Sequence, residues 1–281
     1  MENKQEENRL LERVKEISLD ILKAVVEVCE KNDIKYSIAY GTFLGAVRHG
    51  GFIPWDDDID IMMTPEEYDK FIKACENKLP GNLKIVHCGN NPHYPLNFAK
   101  VVDMDTTFID TDYEGLLYPQ GVSVDIFPIY RIRNKPRVVK RMKFKNTVNA
   151  LLRMAYTGKA VKRYKGLKKI CVVFAHWIAR IIGLKTLNGK IIKRMIREHQ
   201  RGGERFLVEY DSSKTAPYSL FDSYSEYRFD DMYVSGVADY DEYLKDTFGD
   251  YMKLPPIEER VSHIDRAIII DLDKPCGRGT I

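Results

Sequence analysis

Apolar residues at Leu10, Leu11, Val14, Ile17, Ile21, Leu22, Val25 and Val28 recur at three- and four-residue intervals. That spacing gathers them on one face and predicts an amphipathic helix over residues 9–31. Lys31-Asn32-Asp33 ends the pattern, and residues 36–40 read as a short strand. Gly41 then turns the chain into a helical stretch over 42–48, which Gly50-Gly51 stops. From Asp58 to Met62 acid and aliphatic residues alternate, a strand carrying its acids on one face. Thr64-Pro65-Glu66-Glu67 is a capping box with proline at the first helical position, opening a helix to about residue 77. Strands are expected over 83–87, 98–102 and 122–130, and helices through 131–201. Asp239 and Glu242 form a second capping box for a helix over 240–248, closed by Gly249, and Leu254-Pro255-Pro256 reads as extended. Without an internal repeat, this order predicts an α/β (α+β) fold, a small mixed sheet flanked by helices.

Charge changes that picture. The formal net charge is only +3, yet 22 of the 44 Lys and Arg residues, and one of the 41 acids, Glu198, fall between Arg131 and Arg201. This basic helical segment is expected to be an insertion (131–205) between a catalytic core (1–130) and a C-terminal segment that completes the core (206–281). Four uses are open to it: helices lying on an anionic membrane, with Phe174 and Trp177 among the headgroups; a site for a phosphate-rich glycan or lipid-linked acceptor; a nucleic-acid surface; or a solvated cationic face. Nucleic acid is the least favoured of the three ligands, because no RNA-binding motif accompanies the charge. The five cysteines are scattered and form no CxxC, which suits a reducing compartment. No apolar run reaches the roughly 18 to 20 residues of a membrane span, and the N-terminal MENKQEENRL is polar and acidic. The expectation is a cytoplasmic protein, peripheral at the inner face of the membrane if residues 131–201 touch it.

The chemistry concentrates in residues 41–63. Alternation aims Asp58 and Asp60 to the same side, ~7 Å apart along the strand. Val124-Asp125-Ile126 offers a third acid in a similar apolar setting, 65 residues after Asp60. Two acids on one strand and one on a neighbour can hold metals for in-line phosphoryl chemistry, and magnesium prefers oxygen ligands that arrive with phosphates. The strand–Gly41–Thr42–helix turn leaves free backbone N–H groups where a phosphate can dock. With Arg48 between turn and strand, the set suits a nucleoside diphosphate carrying magnesium. Asp56 and Asp57 read as caps of the turn after Trp55.

The blocks Tyr40-Gly41-Thr42-Phe43-Leu44-Gly45-Ala46-Val47-Arg48 and Ile53-Pro54-Trp55-Asp56-Asp57-Asp58-Ile59-Asp60 resemble the LicD family, on a nucleotidyltransferase-like fold. Phe98-Ala99-Lys100, Val124-Asp125-Ile126-Phe127-Pro128, Phe248-Gly249-Asp250-Tyr251-Met252 and Leu254-Pro255-Pro256 extend the resemblance. It implies a magnesium-dependent (or manganese-dependent) transferase that moves phosphocholine, else phosphoribitol or phosphoglycerol. The donor is a CDP-alcohol, the acceptor a hydroxyl of a surface glycan or lipid-linked oligosaccharide, and CMP is released. Under it Asp58 and Asp60 are magnesium ligands, and Asp125 is a third ligand or the base. Gly41 and Thr42 hold a phosphate, and Arg48 and Lys100 offset its charge. His263 follows the Pro-Pro segment where relatives often carry paired histidines, with Ser262 in place of the first; it is either catalytic or structural. Tyr36, Tyr40, Trp55, Tyr94, Tyr113 and Tyr118 are the aromatic candidates for a quaternary ammonium. Two alternatives stand beside this reading: a nucleotidyltransferase that takes an NTP and releases pyrophosphate, and a non-catalytic membrane-surface or polyanion-binding protein.

Overall fold

A mixed sheet of five strands, in a computed structural model that describes residues 2–76, 79–156, 166–207, 215–262 and 264–276, organises the chain. Its strands are β1 (Ser37–Ile38), β2 (Ile59–Met63), β3 (Leu83–Val86), β4 (Ala99–Asp103) and β6 (Ser123–Pro128), in the spatial order β1-β2-β6-β4-β3. Only β2 and β6 run parallel. Alternation sorts the two faces. Ile59, Ile61, Ala99, Val101, Val124 and Ile126 are fully buried in the main core, which Val14, Ile21, Leu22 and Val25 of α1 (Glu2–Lys31) and Phe71 of α3 (Pro65–Cys75) share. The opposite parity carries Asp60, Lys100 and Asp125.

Helix boundaries follow local chemistry. α1 starts at Glu2, well before the predicted residue 9, because residues 2–9 are all polar and carry no apolar signal. Thr64 caps α3 by accepting from the Glu67 N–H, with Pro65 behind it, as the capping box predicts. Asp239 does the same for Glu242 at the head of α7 (Tyr240–Phe248), and Gly249 ends that helix at φ 74°. α2 (Tyr40–His49) begins two residues earlier than the sequence suggests.

Three further pairings enclose the sheet. β5 (Thr107–Asp110) takes β12 (Ala267–Asp271), while β7 (Arg131–Ile132), β8 (Arg205–Leu207) and β9 (Thr215–Pro217) form a small antiparallel sheet. β10 (Tyr224–Phe229) and β11 (Met232–Val237) form a hairpin whose turn places Asp230 at φ 53°. Phe206, Ala216, Phe229, Val234, Tyr243 and Leu272 join the main core, so the end of the chain packs against its beginning.

Between β7 and β8 lie α4 (Pro136–Tyr156), α5 (Gly166–Ile182) and α6 (Leu184–Gln200). Met142, Ile191 and Met195 build a small core with Tyr130 and Ile132, and Leu184 packs with Tyr94, Leu96 and Tyr118. α5 and α6 meet at Gly183 with a bend of 83°. No single helix among the described residues is long and apolar enough to cross a membrane.

Candidate active site

The turn before β2 is built by close packing. Tyr40 takes φ 43°, a left-handed conformation unusual for a bulky residue. It is held by its N–H donating to the Tyr243 hydroxyl at 3.0 Å and by an edge contact with Phe127. A Cβ on Gly41 would sit 2.5 Å from the Asp56 carboxylate, and one on Gly45 would sit 2.4 Å from the Gly51 carbonyl. Glycine at both positions lets α2 lie against the 51–57 loop. Thr42 is buried, and its hydroxyl accepts from the Asp60 N–H at 2.8 Å, pinning the turn to β2.

Register then aligns the charges. Asp60 on β2 stands opposite Asp125 on β6, and Asp125 stands opposite Lys100 on β4. Three charged groups thus form one row across three strands. The Lys100 ammonium donates to Asp125 at 2.5 Å and to the Ser123 hydroxyl at 3.4 Å. Burial pushes the Lys100 ammonium down, but its attraction and hydrogen bond to Asp125 outweigh burial and hold it above its usual range. Asp60 has the opposite difficulty. Burial, followed by the charges of Asp58, Asp125 and Asp56, holds its carboxyl well above the ordinary carboxylate range, with Lys100 only partly compensating.

Asp58, Lys100 and Asp125 line a cleft of about 230 Å³. Phe98, Tyr113 and Tyr118 supply aromatic walls, with Asp110 and Asp112 beside them. Asp60 lies behind the lining, in the same row. Arg48 is not brought into this cleft. Its guanidinium donates to the Tyr251 carbonyl at 2.8 Å and faces a neighbouring cleft of about 420 Å³ with Gly41, Trp55 and Asp56. Burial and the nearby Arg260 lower the Arg48 pKa. Asp57 accepts from the Ile264 N–H at 3.0 Å, a tie to the C-terminal segment. His263 lies outside the described residues.

The aromatic candidates separate in the same way. Tyr113 and Tyr118 reach the cleft of Asp58 and Asp125, Trp55 faces the other one, and Tyr36 and Tyr94 are buried in the cores. Sequence reasoning missed Asp110 and Asp112. Their signal was a second acid-x-acid pair, Asp110-Thr111-Asp112, which the chain places at a turn where Asp110 accepts from the Asp112 N–H.

Among the described residues, no three His, Cys, Asp or Glu side chains form a ready-made metal cage. The donor set nonetheless suits magnesium. It is all carboxylate, and a desolvated carboxyl beside like charges is relieved by a cation. Magnesium commonly takes one or two protein carboxylates and completes its shell with phosphates and water.

Comparison with known proteins agrees with this geometry. Residues 33–150 match the family model described as "LicD/FKTN/FKRP, nucleotidyltransferase domain". The lipopolysaccharide cholinephosphotransferase LicD of Haemophilus influenzae is 30% identical over 261 residues, 90% of this chain and 96% of that protein. The chain belongs to the LicD family. It is accordingly a LicD-type transferase, and its mixed sheet is the nucleotidyltransferase-like core of that family. Shorter matches link it to uncharacterised proteins of Rickettsia typhi, 36% identical over 35% of this chain and 36% of theirs, and of Rickettsia prowazekii, 53% identical over 17% and 18%. The matched domain model ends inside α4, so it covers the charged row and stops within the basic helices.

Proposed function

We propose that this LicD-family chain transfers phosphocholine from CDP-choline to a hydroxyl of a lipopolysaccharide-type glycan, releasing CMP. One observation carries the reading: the in-register row Asp60–Asp125–Lys100 lies at a cleft that is anionic and aromatic at once. The acids suit a cation-bound diphosphate. Phe98, Tyr113 and Tyr118, with Asp110 and Asp112 alongside, suit a quaternary ammonium, which favours aromatic faces and nearby negative charge. Similarity to the Haemophilus cholinephosphotransferase over most of both chains supports the same donor alcohol and acceptor class.

In this mechanism Asp58 and Asp60 would hold magnesium, with Asp125 beside them. Magnesium bound there would draw negative charge off the donor's phosphates. Asp125 takes the proton from the acceptor hydroxyl as its oxygen attacks the phosphorus next to choline, and the P–O bond to CMP breaks in line. Lys100 keeps Asp125 oriented through its hydrogen bond and offsets charge on the transferring group. Arg48, Gly41 and Trp55 form a separate subsite for another part of donor or acceptor.

The experiment offers purified protein CDP-choline, CDP-ribitol, CDP-glycerol and the four NTPs, each with a glycan acceptor, with and without magnesium or manganese. Mass spectrometry reads the products. Metal-dependent CMP from CDP-choline is expected. CMP from another CDP-alcohol would move the donor assignment, and pyrophosphate from an NTP would move the attack to the α-phosphorus. Silence from all seven with acceptor present would overturn the reading.

A further inference from the structure

Among the described residues between β7 and β8, α4, α5 and α6 present a surface that the catalytic reading does not use. Phe144, Val148 and Leu151 follow one another on α4, and Ile170, Phe174, Trp177 and Ile181 on α5, each series at three- and four-residue spacing. These stripes should be a core. Instead they face outward: Phe144 is 70% exposed, Phe174 68% and Ile181 82%. The other apolar side of the subdomain, with Met142, Leu184, Leu187, Ile191 and Met195, is already buried against the rest of the chain. Outward stripes of this size are rare on a surface that meets only water.

Cations lie alongside. α4 and α6 enclose a cleft of about 440 Å³ lined by Arg141, Lys145, Lys190, Lys193, Arg194 and Arg197, among others. Its one acid, Glu198, already accepts from Arg133 at 3.0 Å and Arg201 at 2.6 Å. Arg141 and Lys145 flank Phe144 on α4 itself, so the cationic and apolar stripes run side by side. A helix pair with bulky apolar residues and tryptophan on one side and lysine and arginine next to it is suited to the interface of a negatively charged bilayer.

We propose that α4, α5 and α6 form a docking surface for an anionic phospholipid bilayer, with the Phe144–Leu151 and Ile170–Ile181 stripes seated among the acyl chains and the α4/α6 cations on lipid phosphates. Charge complementarity selects this occupant. A second copy meeting the stripes in a two-fold arrangement would bring two cationic clefts close together, which like-charge repulsion opposes. Nucleic acid would answer the cations and leave the stripes in water. The docked subdomain is latched to the catalytic cleft. Arg153 donates to the Pro95 carbonyl at 3.1 Å and Asn188 to the Tyr94 carbonyl at 3.0 Å, next to the Leu96 and Phe98 that wall the cleft. A lipid-held acceptor would therefore meet the cleft at the membrane surface. The docking surface itself stands whatever the donor proves to be.

The test is sedimentation of the full chain with phosphatidylcholine vesicles, with and without phosphatidylglycerol, at low and high salt. Trp177 emission is followed in a Trp55→Phe background, which leaves Trp177 as the only indole. Binding to anionic vesicles, a blue shift of Trp177 and weakening by salt are expected. Phe174→Ser, Trp177→Ser and Ile181→Ser combined should reduce binding at least about tenfold, and each of Lys193→Glu and Arg197→Glu at least roughly fivefold. Thermal melts check that these exposed substitutions leave the fold intact. No partition into anionic vesicles at low salt overturns the proposal. So does binding that the triple variant retains, or a concentration-dependent dimer by light scattering that the triple variant abolishes while vesicles bind neither form.

Discussion

Two regions of this molecule crowd like charges, and they do so under opposite rules. In the sheet, Asp60 is nearly buried and pinned through its backbone to Thr42, with Asp58 and Asp125 near it. In the α4/α6 cleft, arginines and lysines line an open surface where water and salt screen them. Buried charges are few and fixed by strand register, so they call for a particular cation at a particular place. Exposed charges are many and set only by helical periodicity, so they suit a diffuse anionic surface and each can be replaced without loss of the fold. On the two proposals above, the first region serves chemistry and the second adhesion.

The widest separation between the regions should appear in turnover. Replacing Asp125 by Asn keeps the shape of the row and removes one charge from it, and Asp58→Asn removes a charge from the cleft beside it. CMP release is expected to fall at least about a thousandfold in both, with little change in melting temperature for Asp58→Asn and a drop for Asp125→Asn, which leaves the Lys100 ammonium without its ion pair. Near-normal turnover in either variant would break the assignment of the row as the catalytic centre.

A smaller effect probes how tightly the sheet region is packed. Gly45→Ala places a methyl 2.4 Å from the Gly51 carbonyl, a backbone atom with little room to retreat. Destabilisation of about 1–3 kcal/mol is expected in a denaturant melt, comparable to overpacking a core. Gly189 on α6 meets nothing within 4 Å of its added Cβ, so Gly189→Ala should be neutral or slightly stabilising. Equal responses at the two glycines would erase the contrast in packing.

These two glycines also indicate what the sequence could reveal. The acids Asp58, Asp60 and Asp125 were legible because strand alternation and the acid-aliphatic pattern are local, and both capping boxes and α7 follow from a few adjacent residues. The pairing of Asp60 with Asp125 and of Asp125 with Lys100 depends on register between strands distant in sequence, which no local pattern encodes. The β10–β11 hairpin was not anticipated, because its turn at Asp230 uses a left-handed non-glycine residue without an Asn-Gly or Asp-Gly signal. Arg48 lies between turn and strand in sequence, yet α2 carries it to the neighbouring cleft, because ten helical residues set its direction. Trp177 and Phe174 were legible as apolar residues on a helix, but whether that stripe faces a core or solvent is decided only by what α4 and α6 leave uncovered.

Asp60 itself should show a stability effect that depends on pH. Its folded carboxyl lies well above the unfolded value, so the folded state keeps the proton longer. Stability of the metal-free protein therefore declines as pH rises from about 4, the unfolded range, through the raised folded value. Asp60→Asn has no charge to bury. In chelator its stability in a denaturant melt should match the wild type near pH 4 and exceed it increasingly toward neutral pH, by on the order of 1 kcal/mol. Added magnesium should close that gap by stabilising the wild type alone. A gap that does not vary with pH would show that Asp60 carries no buried-charge penalty.

The smallest expected change in stability is in the basic cleft, and it separates the two regions most directly. Lys193→Glu and Arg197→Glu alter charges on an open surface, where the mutual repulsion of the cations is screened. Stability should move by no more than about 0.5 kcal/mol, and upward if at all, because each change relieves like-charge crowding. CMP release from soluble acceptor should be unchanged, since neither residue lines the catalytic cleft. Affinity for anionic vesicles should nonetheless fall. If vesicle affinity and soluble turnover fell together, the cations would be acting on the catalytic cleft through the Asn188 and Arg153 latches. Adhesion and chemistry would then be coupled, rather than divided between helices and sheet.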